Sequence, residues 1–311
     1  MIRLDDRQPI PDALRGAVIA LGNFDGFHLG HQAVVGTAIN WARTKGKPAI
    51  VGTFDPHPMR LFTPDAEPFW LTTLDQRQEL FAEAGAQAML VFHFDRAMAA
   101  MSAEEWIEAV LHRRLGVSGV VTGQDFTFGR GRSGNLQLLA EVGRRFRIGA
   151  RSVGAVHDML GPISSTRIRT ALKEGDCEVA ARLLTRPFTI RGRVEHGDKR
   201  GRTIGFPTAN LALGGYLRPR FGIYAVTVRL PDGRELPGAA NIGIRPSFDP
   251  PKELLEVYLF DFDGDLYGEE IEVSFHQFLR PEAKFDSLGA LTEQMSRDCD
   301  EARKLLSAGA L

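Results

Sequence analysis

The feature that most limits the fold of this chain is a change of pattern past its middle. Up to residue 184, short apolar runs alternate with amphipathic stretches. The runs "AVIAL" (17–21), "PAIVGTF" (48–54), "AMLVFHF" (88–94), "GVVTG" (119–123) and "RIGARSV" (147–153) read as strands. Between them, "HQAVVGTAINWARTKG", "DQRQELFAEAG", "SAEEWIEAVLHRRLG" and "NLQLLAEVGRRF" carry helical periodicity. Ser102 followed by Glu105 forms a capping box, and Gly116 stands where a helix of that length should end. Strands that alternate with helices close through right-handed crossovers, which predicts a doubly wound, mainly parallel α/β sheet. Ligands of such sheets sit at the carboxyl ends of the strands.

After the helical segment "STRIRTALKEGDCEVAARLL" (165–184) the pattern changes. "FTIRGRVEHG", "GIYAVTVRL", "LLEVYLFDF" and "EEIEVSF" are strand-like runs with no helix-length segment between successive turns. "PDG" (231–233) and "DG" (263–264) are hairpin signals. A final amphipathic helix is expected from about Leu288 to Leu306. Consecutive antiparallel strands with one helix predict a small β-barrel. The boundary is expected at Leu184–Thr185, giving domains 1–184 and 185–311, each long enough for its own core.

Bulk properties exclude several classes. A formal net charge of −1 gives no general attraction to nucleic acid or membrane surfaces. Cys177 and Cys299 form no CxxC pair, which argues against a zinc ribbon or redox dithiol and suits a reducing, cytoplasmic compartment. The polar start "MIRLDDRQPIPDALRG" lacks a signal-peptide core, and no apolar run reaches bilayer length. The oligomeric state stays open.

The stretch "GNFDGFHLGH" (22–31) places two histidines three residues apart where a strand runs into a helix. His28 and His31 read as metal ligands, as surface residues or as phosphate donors. No HExxH or cysteine set accompanies them. Gly22, Gly26 and Gly30 permit close backbone approach, and the helix start offers N–H groups and a positive dipole end to an anion. A second anion site is suggested by "ISSTRIR" (163–169), where the serines can cap a helix and Arg167 and Arg169 are phosphate donors. "GRGRSG" (129–134) fits the dinucleotide fingerprint GxGxxG, but it begins six residues past its strand and no acidic residue ends the next one. It reads as a mobile glycine-rich loop. There is no Walker A sequence.

In the second half, "HGDKRGRTIGFPTANL" (196–211) spaces Gly197, Gly201 and Gly205 four apart among Lys199, Arg200 and Arg202. Such a loop can close over a polyphosphate or stay a solvated turn. In "PTAN", Thr208 and Asn210 share one face if extended and offer the hard oxygens Mg²⁺ prefers. "DFDGDLYGEEIE" mimics a calcium loop through Asp261, Asp263, Asp265 and Glu272. Leu266 takes the position that needs glycine, so it reads as a hairpin.

Together "GNFDGFHLGH", "TFDPHP" (53–58), "GQDFTFG" (123–129) and "ISSTRIR" resemble, in this order, the adenylyltransferase half of the bacterial bifunctional riboflavin kinase/FMN adenylyltransferases, within the nucleotidyltransferase superfamily. The glycine series with Pro207–Asn210 looks like the riboflavin kinase signature. "NIGIRPSF" (241–248) and "LRPEAKF" (279–285) follow the same pattern, with Ser247 where threonine is more usual. The resemblance implies ATP-dependent phosphorylation of riboflavin to FMN, then adenylylation of FMN to FAD. It gives His28 and His31 to the transferred adenylyl group, with Gly22, Phe24, Asp25 and Gly30 in the nucleotide site. It gives Ser164, Thr166 and Arg167 to the leaving phosphates, and Gly197, Gly201, Gly205 and Pro207 to the second ATP. Phe62, Trp106, Asp125 and Phe128 fall at its flavin pocket, where the aromatic rings could equally be core. Thr208 and Asn210 match its Mg²⁺ ligands, and Glu256 its catalytic base. Two alternatives stand beside this: an enzyme with one half inactive, and a non-catalytic flavin-binding sensor.

Overall fold

The computed structural model describes residues 1–196, 205–245 and 252–307. The chain divides into two compact units, Met1–Glu67 with Thr72–Ser164, and Pro68–Leu71 with Ser165–Leu311.

In the first unit the elements are β1 (Ile2–Asp5), β2 (Val18–Leu21), α1 (Leu29–Thr44), β3 (Ala49–Asp55), α2 (Pro58–Phe62), α3 (Leu74–Glu83), β4 (Ala88–His93), α4 (Arg96–Ala100), α5 (Ala103–Trp106), β5 (Gly119–Gly123), α6 (Leu136–Arg145), β6 (Gly149–Val153) and the short pair β7 (His157–Asp158) and β8 (Gly161–Pro162). The main sheet has six strands in the order β1-β4-β3-β2-β5-β6, and every pairing in it is parallel. The expected doubly wound sheet is therefore present. All four residues of β2 are buried, as a central parallel strand covered on both faces must be. One core lies around Ile19, Leu90 and Ile107, the other around Val35, Val51 and Phe81. Strand β1 is missing from the sequence reading because its four residues sit at the sheet edge with two exposed, leaving too little alternation to see.

Local signals behave as expected. Ser102 and Glu105 make both bonds of the capping box at α5. That helix runs on as a π-helical segment to Arg114, and Gly116 follows in the left-handed region. "GRGRSG" forms a short turn whose tip, residues 130–133, is exposed. Phe128 and Gly134 bridge across it, and a Cβ on Gly129 would lie 2.7 Å from the Ala103 backbone.

The second unit begins with α7 (Ser165–Glu174) and α8 (Cys177–Leu184). The single helical segment seen in sequence breaks at Gly175, whose φ of +85° is left-handed. Six strands then close a barrel: β9 (Phe188–Glu195), β10 (Ala209–Ala212), β11 (Gly222–Arg229), β12 (Glu235–Arg245), β13 (Lys252–Leu259) and β14 (Glu270–Arg280), in the order β10-β13-β12-β11-β14-β9. All its pairings are antiparallel. The last helix, α9 (Leu288–Ser307), packs outside β11, β12 and β14 over Ala225, Ala239 and Phe260.

One expectation changes here. The turn at Pro231–Gly233 does join the paired strands β11 and β12, but the segment after Phe260 is no hairpin. It connects β13 to β14, which are not neighbours in the barrel. This strand order, not closure itself, requires the crossing, and the "DG" signal cannot distinguish it from a hairpin. Helices α7 and α8 also lie in the barrel-containing unit, with α8 against β14 and β9, upstream of the boundary read at Leu184–Thr185.

Candidate active sites

In the first unit, "GNFDGFHLGH" forms the turn from β2 to α1. Phe24 and Phe27 both take left-handed φ values, +50° and +44°, and Gly26 has +85°. Non-glycine residues hold such angles only when packing over-determines them. Here both rings are buried edge-on against Phe81. The Phe24 ring is thus core, and it also meets the His31 ring edge-on at 5.3 Å.

His28 is the N-cap of α1, its Nδ1 accepting from the His31 amide at 3.4 Å. A neutral imidazole that accepts at Nδ1 carries its proton on Nε2. The two imidazoles stack, 3.6 Å apart and 21° from parallel. Gly30 makes this possible, since a Cβ there would press on the His28 ring at 3.1 Å. Gly22 leaves similar room for Phe24. Asp25 is buried and turned inward. Thr72 donates to it from both its amide (3.0 Å) and its hydroxyl (3.1 Å), and that hydroxyl accepts from Gly26 N–H at 2.9 Å.

Beneath this turn lies a cation that sequence patterns do not reveal. Arg77 of α3 is buried, and its Nη1 donates to the Asn23 carbonyl at 3.2 Å and to Thr53 Oγ1 at 3.0 Å. Desolvation pulls its pKa below the ordinary arginine range, while Asp25 and Asp55 oppose that shift.

The residues expected around a flavin divide into two kinds. Phe62 is 70% exposed and Asp125 is exposed just past β5. Trp106 and Phe128 are buried core rings, 5.1 Å apart. A chain of ring contacts through Phe94, Phe54 and Phe92 links Phe62 to Trp106. Ser164 ends the first unit, with Ile163 N–H bonded to the Val156 carbonyl. Thr166 and Arg167 stand in the first turn of α7. Arg169, in the second turn of α7, donates from its Nε to the Phe69 carbonyl at 2.9 Å.

In the second unit a cavity of about 550 Å³ lies on the outer face of the barrel, beside α9. Thr208, Asn241 and Glu256 line one part of it, and Phe206, Tyr258, Met295 and Cys299 another. Asn210 is paired with Glu256 across β10 and β13 and is buried, its amide nitrogen donating to the Thr208 carbonyl at 3.3 Å. Hydroxyl and amide oxygens fit a cation that takes few protein ligands and completes its shell with phosphate and water. Burial pushes the Cys299 thiol up to about 11, so it lines the wall as a neutral group. Arg280 and Asp298, both lining residues, form a bidentate pair at 2.8 and 2.7 Å that ties β14 to α9. Gly205, with φ +85°, and the exposed Pro207 lead into β10. Gly197 and Gly201, like Ser247, lie outside the described residues.

Arg77, Thr72, Asn241, Glu282 and Asp298 were not singled out from sequence. Each acts through burial and partners distant in the chain, which residue spacing cannot show.

Comparison with known proteins agrees with this two-part arrangement. A protein-family model for FAD synthetase matches residues 10–167, and one for riboflavin kinase matches residues 184–306. The chain is 40% identical to the bifunctional riboflavin kinase/FMN adenylyltransferase of Escherichia coli K12, over 93% of its own length and 92% of the relative's. It is also 40% identical to the Bacillus subtilis protein of that name, over 94% and 93%. A crystal structure from Streptococcus pneumoniae, described as a macrolide-efflux protein, superposes with a TM-score of 0.87 at 32% identity, covering 97% of this chain and 99% of that one. Among the described residues no helix is long and apolar enough to cross a membrane. With both halves matched in order and over nearly the full length, the chain belongs to the bifunctional riboflavin kinase/FMN adenylyltransferase family.

Proposed function

We propose that the cavity beside α9 is where riboflavin is phosphorylated, and that the β2–α1 turn is where FMN is adenylylated. Both reactions consume ATP, and the chain is a transferase in each. The observation that carries the reading is the cavity's composition: an acceptor row containing Glu256 meets an apolar wall that suits a flat ring. In the first step a riboflavin hydroxyl oxygen bonds to the γ-phosphorus of ATP, the bond to ADP breaks, and Glu256 takes the hydroxyl proton. Thr208 and Asn210 would hold Mg²⁺. When bound, the ion neutralises polyphosphate charge. Gly197, Gly201, Gly205 and Pro207 are assigned to the ATP of this step.

In the second step a phosphate oxygen of FMN bonds to the α-phosphorus of another ATP and pyrophosphate leaves. No protein nucleophile is needed. His28 and His31 donate to oxygens whose charge grows, with Gly22 and Gly30 giving clearance and Phe24 and Asp25 holding the turn. Ser164, Thr166 and Arg167 are assigned to the leaving phosphates, and Phe62 and Asp125 to the flavin, braced by Trp106 and Phe128. The adenylyltransferase is assigned to residues 1–184 and the kinase to 185–311. Two buried cysteines without a disulfide support a cytoplasmic location.

Incubating the pure protein with riboflavin and Mg-ATP, then resolving FMN and FAD by chromatography, tests the whole reading. Both products are expected. FMN alone would assign an inactive first half, and bound but unconverted riboflavin would assign a sensor.

A further inference from the structure

The barrel's register places Asn210, Glu256 and Asn241 side by side on β10, β13 and β12. Directly opposed residues of antiparallel strands project to the same face, with Cβ atoms about 5 Å apart. Their chain neighbours Leu211, Leu255, Val257, Ala240 and Ile242 are buried on the other side. The next partner in the row, on β11, is Ile223, so the polar row ends at Asn241.

Asn241 differs from its neighbours in one respect. Its Oδ1 is buried and has no hydrogen-bond partner. Its Nδ2 donates to Glu282 Oε1 at 3.2 Å. Only the NH₂ end of an amide can donate to a carboxylate, so this contact fixes which way the amide faces. Glu282 can reach it because residue 243 is glycine, where a Cβ would collide with the Glu282 carboxylate. Asn241, Glu282 and Glu256 all line the cavity. A buried acceptor without a partner is unfavourable in an empty site, and a ligand donor is the natural remedy.

We propose that Asn241 is a substrate-reading residue of the kinase. Its Oδ1 accepts a hydrogen bond from a hydroxyl of the flavin's polyol chain, next to the hydroxyl that Glu256 engages. This rests on the kinase reading of the cavity. A polyol offers donors on successive carbons, so two acceptors one strand apart take two of them. The isoalloxazine ring then lies toward Phe206, Tyr258 and Met295, where the same cavity is apolar. Glu282 is a positioning residue that acts through the Asn241 amide.

The test uses the full chain, with Asn241→Ala and Asn241→Leu. The second keeps the branched heavy-atom outline, so the result does not depend on a hole left by alanine. Each should raise the riboflavin KM about 10- to 100-fold, leave the ATP KM unchanged, and convert supplied FMN to FAD at the parent rate. Lumiflavin has the same ring system but no polyol, and its inhibition constant against the kinase should stay within about twofold of the parent value. A KM for riboflavin equal to the parent's overturns the proposal. So does an equal weakening of riboflavin, lumiflavin and ATP, which marks Asn241 as a structural wall. A parent kinase that lumiflavin does not inhibit overturns the division into ring pocket and polyol row. Glu256→Gln separates the two levels of the argument. If it phosphorylates riboflavin at the parent rate, the kinase reading of the cavity fails. If it is inactive while Asn241→Ala has a normal riboflavin KM, only the inference fails.

Discussion

The two candidate sites are built from opposite materials. In the first unit the β2–α1 turn works mainly through backbone: three glycines, two left-handed phenylalanines and a helix start aim N–H groups and two stacked imidazoles at one place. In the second unit the barrel wall works through side chains from separate strands, Thr208, Asn241 and Glu256, closed over by α9. A backbone-built site must be contiguous in sequence, because consecutive peptide groups form it. A site built on a sheet face is dispersed, because neighbours across strands lie far apart along the chain. The contrast predicts that perturbations of one site leave the other's chemistry untouched.

The strongest way to break the comparison is to cut the chain. Helix α8 packs on β14 and β9 and buries Leu183 and Leu184. Burying a leucine contributes about 1.5–3 kcal/mol, so a fragment of residues 185–311 should lose roughly 3–6 kcal/mol relative to residues 165–311. Denaturant melts of the two fragments measure this. Equal stability would support the boundary at Leu184–Thr185. If the longer fragment folds but does not phosphorylate riboflavin, the kinase site is not self-contained.

Glu256→Gln sharpens the comparison from the barrel side. It keeps the size and much of the hydrogen bonding but cannot take a proton, so kinase turnover should fall about 10²–10⁴-fold. Conversion of FMN to FAD should be untouched. A parent-like kinase rate would make Glu256 an ordinary outward strand residue. The mirror experiment is His28→Ala or His31→Ala, expected to slow FAD formation about 10²–10³-fold while FMN accumulates. Loss of both activities together would show that the histidine stack holds the fold instead.

These tests also explain what sequence could reveal. The parallel sheet, the barrel and the last helix were legible because each follows from periodicity. His28 and His31 were legible because a contiguous turn carries them. Glu256 was visible only through resemblance, since alone it is an alternating strand residue. Arg77 and the Arg280–Asp298 pair were not legible, because burial and partner choice decide their roles. Trp106 and Phe128 show the converse: an aromatic residue in a binding motif can serve the core.

A smaller effect is expected at the cavity's far wall. Asp298 is buried, accepts both bonds from Arg280 and also accepts from Gln294 at 2.9 Å. Removing one partner of a buried pair costs about 3–5 kcal/mol. Here Arg280 is partly solvated, its side chain 22% exposed, so Asp298→Asn should cost about 1.5–3 kcal/mol. Thermal melts should shift, and the riboflavin KM should rise as α9 loosens, with the FMN KM unchanged. An unchanged riboflavin KM would mean that the pair stabilises the barrel without shaping the cavity.

The smallest effect separates a loop clasp from simple helix capping. Thr72 and Thr73 are adjacent, yet their hydroxyls do different things. Thr73 caps α3 in a capping box with Gln76, so Thr73→Ala should cost about 1 kcal/mol and change little else. The Thr72 hydroxyl accepts from Gly26 N–H and donates to Asp25, on the turn that carries the histidines. Thr72→Val keeps the shape but removes the hydroxyl that accepts from Gly26 N–H, a cost of about 1–3 kcal/mol. Its cost in stability can therefore resemble that of Thr73→Ala, and the discriminating measurement is kinetic. Thr72→Val should slow adenylylation of FMN several-fold, because the turn loses the bond that pins Gly26, while the kinase rate stays at the parent value. If both variants lower the melting temperature and neither alters FAD formation, the turn is held by its phenylalanines alone. The backbone-built site would then owe its geometry to packing rather than to this hydrogen bond.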